Sequence, residues 1–447
     1  MRRDRVLVYG LAVAGEATTR ALLSRRFHVT VADDRPTPRA LDVARELGLD
    51  LYEAPSPAKI ERLVERADLV VPSPGIPEGH PLIVSAQRLG VPVRSEIDLA
   101  YEWESQRIGG PRPMLAVTGT DGKTTTTLLA TAMLDASGVS AIDAGNTETP
   151  LVSALDLDVE AFVVECTSFR LAWTSCFRPQ AGVWLNLAED HLDWHASMAT
   201  YGAAKSRIWL HQQPFDAAIG FIEDPVVMDH LAGAPGRHVT FGATDGDYHI
   251  VDGWLVGPQG RLAEVASLRR RLPHDITNAL AAAALVLETG LATVDGVALA
   301  LATFEGPHHR IERVADAAGV TYYDDSKATT PHAALTAIRS FEHVVLLAGG
   351  RNKGLDLAAM ARAPERMRAV VAIGEAAPEV AAAFDGICPV TTAASMDDAV
   401  EAARRLAAAG DAVLLSPGCA SFDWYGGYAE RGDDFARAVR AQTEDDA

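Results

Sequence analysis

Short apolar runs alternate with stretches of helical period along most of the chain, and the alternation divides into three parts. Residues 6–9 form a buried strand that runs through Gly10 and Gly15 into an amphipathic helix ending near Leu23, and residues 28–32 form a second strand closing on Asp33-Asp34. That order is a βαβ beginning. Residues 68–71 make a further strand, followed by the loop Ser73-Pro74-Gly75-Ile76-Pro77. A Gly- and Pro-rich stretch at 105–113 then breaks the pattern. Residues 114–117 open the second part as a strand, residues 125–133 follow as a helix, strands lie near 161–164 and 181–185, and an Ala-rich helix starts near Thr277. Phe304-Glu305-Gly306-Pro307 is the second break. The third part repeats the alternation, with strands at 320–323, 344–347, 369–373 and 412–415. The pattern predicts an α/β protein of three domains, 1–106, 107–306 and 307–447, each built on a mostly parallel sheet, with loops gathered at the carboxyl ends of the strands. No internal repeat is evident.

At 447 residues the chain exceeds what one hydrophobic core usually supports, which agrees with several domains. Its composition is globular, with 48% apolar and 22% charged residues. A formal charge of −20 argues against nucleic acid as a partner, since counterion displacement needs a basic face. Anionic ligands must then be held by local lysines, helix N-termini and backbone N–H groups. The four cysteines show no C-x-x-C spacing, so a reducing cytoplasm without structural zinc is expected. Residues 1–14 imitate a signal peptide but read better as the first strand and its turn. No apolar run reaches the ~18 residues that span a bilayer, so no membrane insertion is expected.

The most informative local motif is Gly119-Thr120-Asp121-Gly122-Lys123-Thr124, with a strand before it and a helix beginning at Thr125 after it. The glycines let N–H groups turn inward around a polyphosphate, Lys123 neutralises charge, and Thr124 can reach Mg²⁺. Val117 stands where the first glycine of a full Walker loop belongs. Glu165 ends an apolar strand, the usual place of a metal-binding acid beside such a loop. The run from Asn186 to His195 holds His191, His195 and three acids, and reads either as a metal or substrate segment or as satisfied imidazoles. Lys205, taken by itself, reads as a helical surface lysine. The turn from Gly10 to Gly15 is a weak dinucleotide fingerprint, since Ala12 replaces the middle glycine, or else a turn that binds nothing. In the third part, the loop from Asp324 to Thr330 and the loop from Gly349 to Gly354 each follow a strand and carry cations, which reads as an anion site or as solvated loop charge.

With Ser73-Pro74-Gly75-Ile76, Asp325-Ser326-Lys327-Ala328-Thr329 and the ending Ser416-Pro417-Gly418-Cys419-Ala420-Ser421-Phe422-Asp423, the chain resembles the Mur ligases of cell-wall synthesis, relatives of the folylpolyglutamate synthases. The match covers nearly the whole length and points to the branch that adds D-glutamate. The resemblance implies Rossmann-like first and third domains around a central phosphate-loop ATPase domain. It implies a cytoplasmic monomer in which ATP phosphorylates the carboxylate of UDP-MurNAc-L-Ala, and the amine of D-glutamate attacks the acyl phosphate. Gly119, Thr120, Asp121, Gly122, Lys123, Thr124, Thr125, Asn278, Arg310 and Asp325 match ATP-contacting positions. Thr124, Glu165, His191 and Lys205 as a carbamate match the holders of two Mg²⁺ ions, with Lys123, Glu165, His191 and Lys205 as the catalytic set. Val13, Ala14, Asp33, Asp34, Ser73, Gly75, Asn146 and Thr167 fall on the nucleotide-sugar side, and Lys327, Thr329, Lys353, Ser421 and Phe422 on the glutamate side. Asp121, Glu148, Thr167, Arg170, Asp275 and Thr330 depart from the family pattern, chiefly by placing acids where Asn or Gly is usual. Another amino-acid ligase of the family is the alternative.

Overall fold

The apolar run at the start is strand β1 (Arg5–Tyr9), buried at every position after the first. It sits inside a four-stranded sheet with β2 (His28–Asp33), β3 (Leu51–Glu53) and β4 (Leu69–Pro72), in the order β3-β2-β1-β4 and parallel throughout. Helices between the strands cover both faces, which is why the strands read as continuous apolar runs. Pro38, Pro57 and Pro81 each begin one of these helices, where a missing N–H costs nothing and the fixed φ favours entry. Strand order reverses about β1, so the loops after β1 and β4 meet at the carboxyl edge. There the Ser73 hydroxyl donates to Gly10 O at 2.6 Å, and a Cβ on Gly10 would lie 2.7 Å from that of Ser73.

The second sheet holds β5 (Met114–Thr118), β6 (Ala141–Gly145), β7 (Ala161–Glu165), β8 (Ala181–Trp184), β9 (Ala217–Phe221) and β10 (Arg237–Phe241), all parallel, in the order β10-β9-β8-β5-β7-β6. β5 lies between β7 and β8, so the loop at 119–122 is flanked by Glu165 on one side and Asn186 on the other. The helix Pro273–Leu287 is buried from Asn278 to Leu287, and its alanines allow close packing under the sheet. A three-stranded antiparallel sheet of β11 (His249–Val251), β12 (Trp254–Gly257) and β13 (Gly260–Glu264) follows β10. The α/β alternation does not announce it. Its strands are short and turn at Gly253 and Gly260, both in the left-handed region.

The helix Glu96–Ser105 joins the first sheet to the second through three buried acids. The Asp98 carboxylate accepts the amides of Ser175, Cys176 and Phe177 at 2.8–2.9 Å and the Arg94 guanidinium. Glu96 accepts the Val152 amide at 2.7 Å and pairs with Arg170, and Glu104 pairs with Arg112 at 2.8 Å.

A computed structural model describes residues 4–443, which form two compact units divided between Phe304 and Glu305. The second unit has its own sheet of β14 (Glu312–Ala317), β15 (Val320–Asp324), β16 (Val344–Gly349), β17 (Met367–Ile373), β18 (Val390–Thr392) and β19 (Ala412–Leu415), in the order β14-β15-β19-β16-β17-β18. Only β14 runs antiparallel to its neighbour. Three parallel-sheet α/β layers therefore occur in one chain, as the apolar pattern predicts. Among the described residues, no helix is long and apolar enough to cross a membrane.

Candidate active site

The loop after β5 is shaped by contacts that glycine alone permits. Gly122 has φ +82° and starts the helix Lys123–Ala136, and a Cβ there would lie 2.5 Å from Asn278 Oδ1. A Cβ on Gly119 would lie 2.9 Å from that of Leu185. Asn186, just beyond β8, braces the loop from outside: its Oδ1 accepts the amides of Thr120 and Asp121, each at 2.9 Å, and its Nδ2 donates to Asp121 O at 3.2 Å. The Thr120 hydroxyl accepts the Ala188 amide at 3.0 Å and lies 3.2 Å from the Tyr201 hydroxyl. Sequence reasoning placed Asn186 in an interesting run without giving it this role. Its signal was an amide side chain one residue after a strand that borders the phosphate loop.

Two lysines converge on one carbonyl. Lys123 Nζ donates to Gly119 O at 2.9 Å and Thr120 O at 2.7 Å, and Lys205 Nζ donates to Gly119 O at 2.6 Å. Lys205 is only 1% exposed, so the surface reading of its local sequence is corrected: Tyr201, four residues earlier on the same helix, lays its ring 4.6 Å from the ammonium and seals that face. Burial, reinforced by the Lys123 charge, holds the Lys205 amine well below its ordinary pKa, against the pull of Asp190 and Asp121. Thr124 and Thr125 occupy the first turn of the helix, half-buried.

Glu165 ends β7, 2% exposed. Its Oε1 accepts Asn146 Nδ2 at 2.8 Å, while its Oε2 is buried with no hydrogen-bond partner among the described residues. A carboxylate oxygen left bare in this way is costly unless a cation or donor joins it. His191 has a left-handed backbone, φ +56°, and its Nε2 lies 3.3 Å from Asp190 Oδ2. Burial lowers its pKa, Asp190 opposes that, and the charges of Lys123 and Lys205 add to the lowering. Lys123, Lys205, Asp190 and His191 therefore share one electrostatic neighbourhood. The buried carboxylate and the helix-start hydroxyl are oxygen donors that suit Mg²⁺, and the imidazole is a softer nitrogen donor beside them.

On the first sheet, Val13 and Ala14 start the helix Val13–Ser24, and Val13 is exposed. Asp33 Oδ2 accepts the Leu11 amide at 2.8 Å, and Asp34 accepts the Tyr9 hydroxyl at 2.5 Å and pairs with His80 at 3.0 Å. These acids shape the turn, and nothing occupies the space beside Gly75. A small cavity beside this crevice is lined by Ala14, Ser73, Pro74, Glu96, Phe169 and Arg170. Thr167 caps the helix Ser168–Leu171, and Arg170 is buried against Glu96. Asn146 turns its amide onto Glu165. Glu148 is exposed and Asp121 half-buried in their loops, and Asp275 instead caps Leu272 and pairs with Arg270.

In the second unit, Asp325 is 6% exposed and accepts the Ser416 hydroxyl at 2.7 Å. Burial pushes its pKa up to about 7. Lys327 Nζ lies 3.7 Å over the Tyr428 ring, Thr329 follows in the same turn, and Thr330 caps the helix Pro331–Ile338. Arg431, 1% exposed, donates to Ser326 O and Cys419 O and ties the loops bearing Lys327 and Ser421 together. Ser421 is buried, while Lys353 and Phe422 are exposed, and Arg310 is half-buried.

Comparison with known proteins places this geometry in a family. Residues 4–95 match the Mur ligase MurD-like N-terminal domain, residues 117–286 the Mur ligase middle domain, and residues 309–419 the Mur ligase glutamate ligase domain. A protein of Frankia casuarinae called UDP-N-acetylmuramoylalanine--D-glutamate ligase is 44% identical, over 98% of this chain and 94% of its own. A protein of Mycolicibacterium vanbaalenii with the same name is 40% identical, over 98% of both chains. Among solved structures, MurF ligase from Thermotoga maritima in complex with ADP covers 100% of this chain and 96% of its own, with TM-score 0.59 and 17% identity, a likeness of fold.

Proposed function

Because the chain belongs to the Mur ligase family, we propose that it is an ATP-dependent ligase forming the amide between UDP-N-acetylmuramoyl-L-alanine and D-glutamate. The observation that carries this reading is the 44% identity, over almost the whole of both chains, to a relative of that name. The braced phosphate loop and its buried acid support it independently. A carboxylate oxygen of the sugar peptide attacks the γ-phosphorus of ATP, and the bond to the β-phosphate oxygen breaks. The D-glutamate amine then attacks the acyl carbon, phosphate leaves, and the nitrogen loses its proton.

This chain's residues contribute position and charge rather than a nucleophile. Asn186 holds the Thr120 and Asp121 amides, so the N–H groups of residues 122–124 at the helix start are the ones that would face the polyphosphate, and Lys123, now turned onto Gly119 O and Thr120 O, would swing to the phosphate oxygens. Glu165 Oε2, Thr124 and His191 are the groups that would hold Mg²⁺, which would supply positive charge against the phosphate oxygens. We assign Lys205 as a carbamate: an unprotonated amine adds CO₂ and releases a proton, and the anionic product sits beside Lys123. Residues 1–106 are assigned to the nucleotide sugar through Val13, Ala14, Asp33, Asp34, Ser73 and Gly75, residues 107–306 to ATP, and residues 307–447 to D-glutamate through Lys327, Thr329, Lys353, Ser421 and Phe422. ATP and a nucleotide sugar are cytoplasmic compounds, so we place the reaction in the cytoplasm, carried out by a monomer. The test is phosphate release from ATP and Mg²⁺ with UDP-MurNAc-L-Ala and D-Glu, against L-Glu, L-Ala and meso-diaminopimelate. Turnover with D-Glu alone is expected, and release with another amino acid but not D-Glu sinks the assignment.

A further inference from the structure

The segment that carries His191 also grips the first sheet. Trp194 Nε1 donates to Pro74 O at 3.0 Å, and His195 Nδ1 lies 3.1 Å from Glu78 Oε1. The other ring nitrogen, Nε2, lies 2.9 Å from the Ser168 hydroxyl, three residues beyond Glu165. A carboxylate only accepts, so Nδ1 carries the proton and Nε2 accepts from Ser168; one neutral tautomer satisfies both contacts. His195 and Ser168 are each 1% exposed. The Phe169 ring packs on His191 at 4.7 Å, Trp194 at 4.8 Å and His195 at 5.9 Å. Ser168, His195 and Glu78 have the donor order of a hydrolase triad, yet a nucleophile must reach a carbonyl carbon, and this hydroxyl is sealed.

A structural tie is the better account of the line. The turn Ser73-Pro74-Gly75 borders the crevice of the first sheet, and Trp194 and Glu78 fix both of its sides. His191 holds a left-handed backbone that an L-residue adopts only at a steric cost, so its neighbours must over-determine its place. We propose that Trp194 and His195 are positioning residues that lock the crevice loop to the segment bearing His191, so that seating the nucleotide sugar and seating a divalent cation at His191 favour one another. The proposal rests on the ligase reading for the identity of the two ligands.

Its test needs no turnover. Mn²⁺ affinity of the full chain is measured by electron paramagnetic resonance with and without UDP-MurNAc-L-Ala, in the wild type, His195→Phe, Trp194→Phe, Glu78→Ala and Glu78→Gln. Substrate should tighten Mn²⁺ binding about 5-fold or more in the wild type, the ordinary size of a coupling between sites, and Mn²⁺ should tighten substrate by the same factor. The factor should fall to about 1 in His195→Phe and Glu78→Ala, fall part-way in Trp194→Phe, and survive in Glu78→Gln, whose amide oxygen still accepts from Nδ1. Glu78 is partly exposed, so its variants report even if a substitution at His195 unfolds the chain. Absence of coupling in the wild type, or its persistence in folded Glu78→Ala, overturns the proposal. Coupling without any turnover on D-Glu would sink the ligase reading alone.

Discussion

At the scale of single residues, Lys205 shows how far a local reading reaches. Its heptapeptide is an ordinary helical stretch, and only packing against Gly119 and Tyr201 buries it. A fully enclosed amine beside another cation is poorly placed as an ammonium but well placed as the precursor of a carbamate. Lys205→Ala should therefore lose about 10²-fold or more in kcat, bicarbonate should not restore it, and a small carboxylate such as acetate should restore part of it. Turnover at the wild-type rate in Lys205→Ala removes the carbamate assignment. The neighbouring Lys123, Gly119 and Gly122 were legible without structure, because a phosphate loop is a local device whose glycines and lysine sit at fixed spacing. Asn186 and His195 were not, and Lys205 only through the family resemblance, because each acts on residues distant in the chain.

At the scale of elements, the parallel strands were legible for a simple reason: covered on both faces, they are apolar at nearly every position, as in β5, β7 and β16. The helix Glu96–Ser105 was not. Its acids look like a solvated face, and the groups that receive them lie elsewhere in the chain. Asp98 gives a stability prediction. Burial opposes its charge, but the Cys176 amide, Arg94 and the Ser175 amide outweigh burial and hold its pKa below the ordinary value. With the folded carboxyl below its unfolded value of about 3.9, the unfolded chain takes up the proton first as pH falls. The contribution is then complete at neutral pH and declines below about pH 5, through the folded pKa. Asp98→Asn should lower stability at pH 7 by about 2–4 kcal/mol, by urea unfolding, and the gap to wild type should narrow toward pH 3. A gap that stays constant with pH would show that shape, not charge, is what Asp98 supplies.

At the scale of the molecule, an acidic chain of charge −20 that works on anions must concentrate its cations, and the phosphate loop, Glu165, His191 and Lys205 all fall in the unit before Glu305. That unit also holds six tryptophans, at 103, 173, 184, 194, 209 and 254, whereas the other unit holds Trp424 alone. Among the described residues no strand pairs across the division, and each unit has its own buried core, so each can unfold with its own midpoint. In Trp424→Phe, indole emission reports the first unit only. A non-hydrolysable ATP analogue with Mg²⁺ at 100 times its Kd should stabilise that transition by about 2.7 kcal/mol. Lys123→Ala should abolish the shift and move the nucleotide-free midpoint by less than the shift itself, because Gly119 O keeps Lys205 Nζ as a donor. An analogue that leaves the indole transition where it was would mean that the loop after β5 does not hold the nucleotide, and the reaction assigned to this chain would lose its first step.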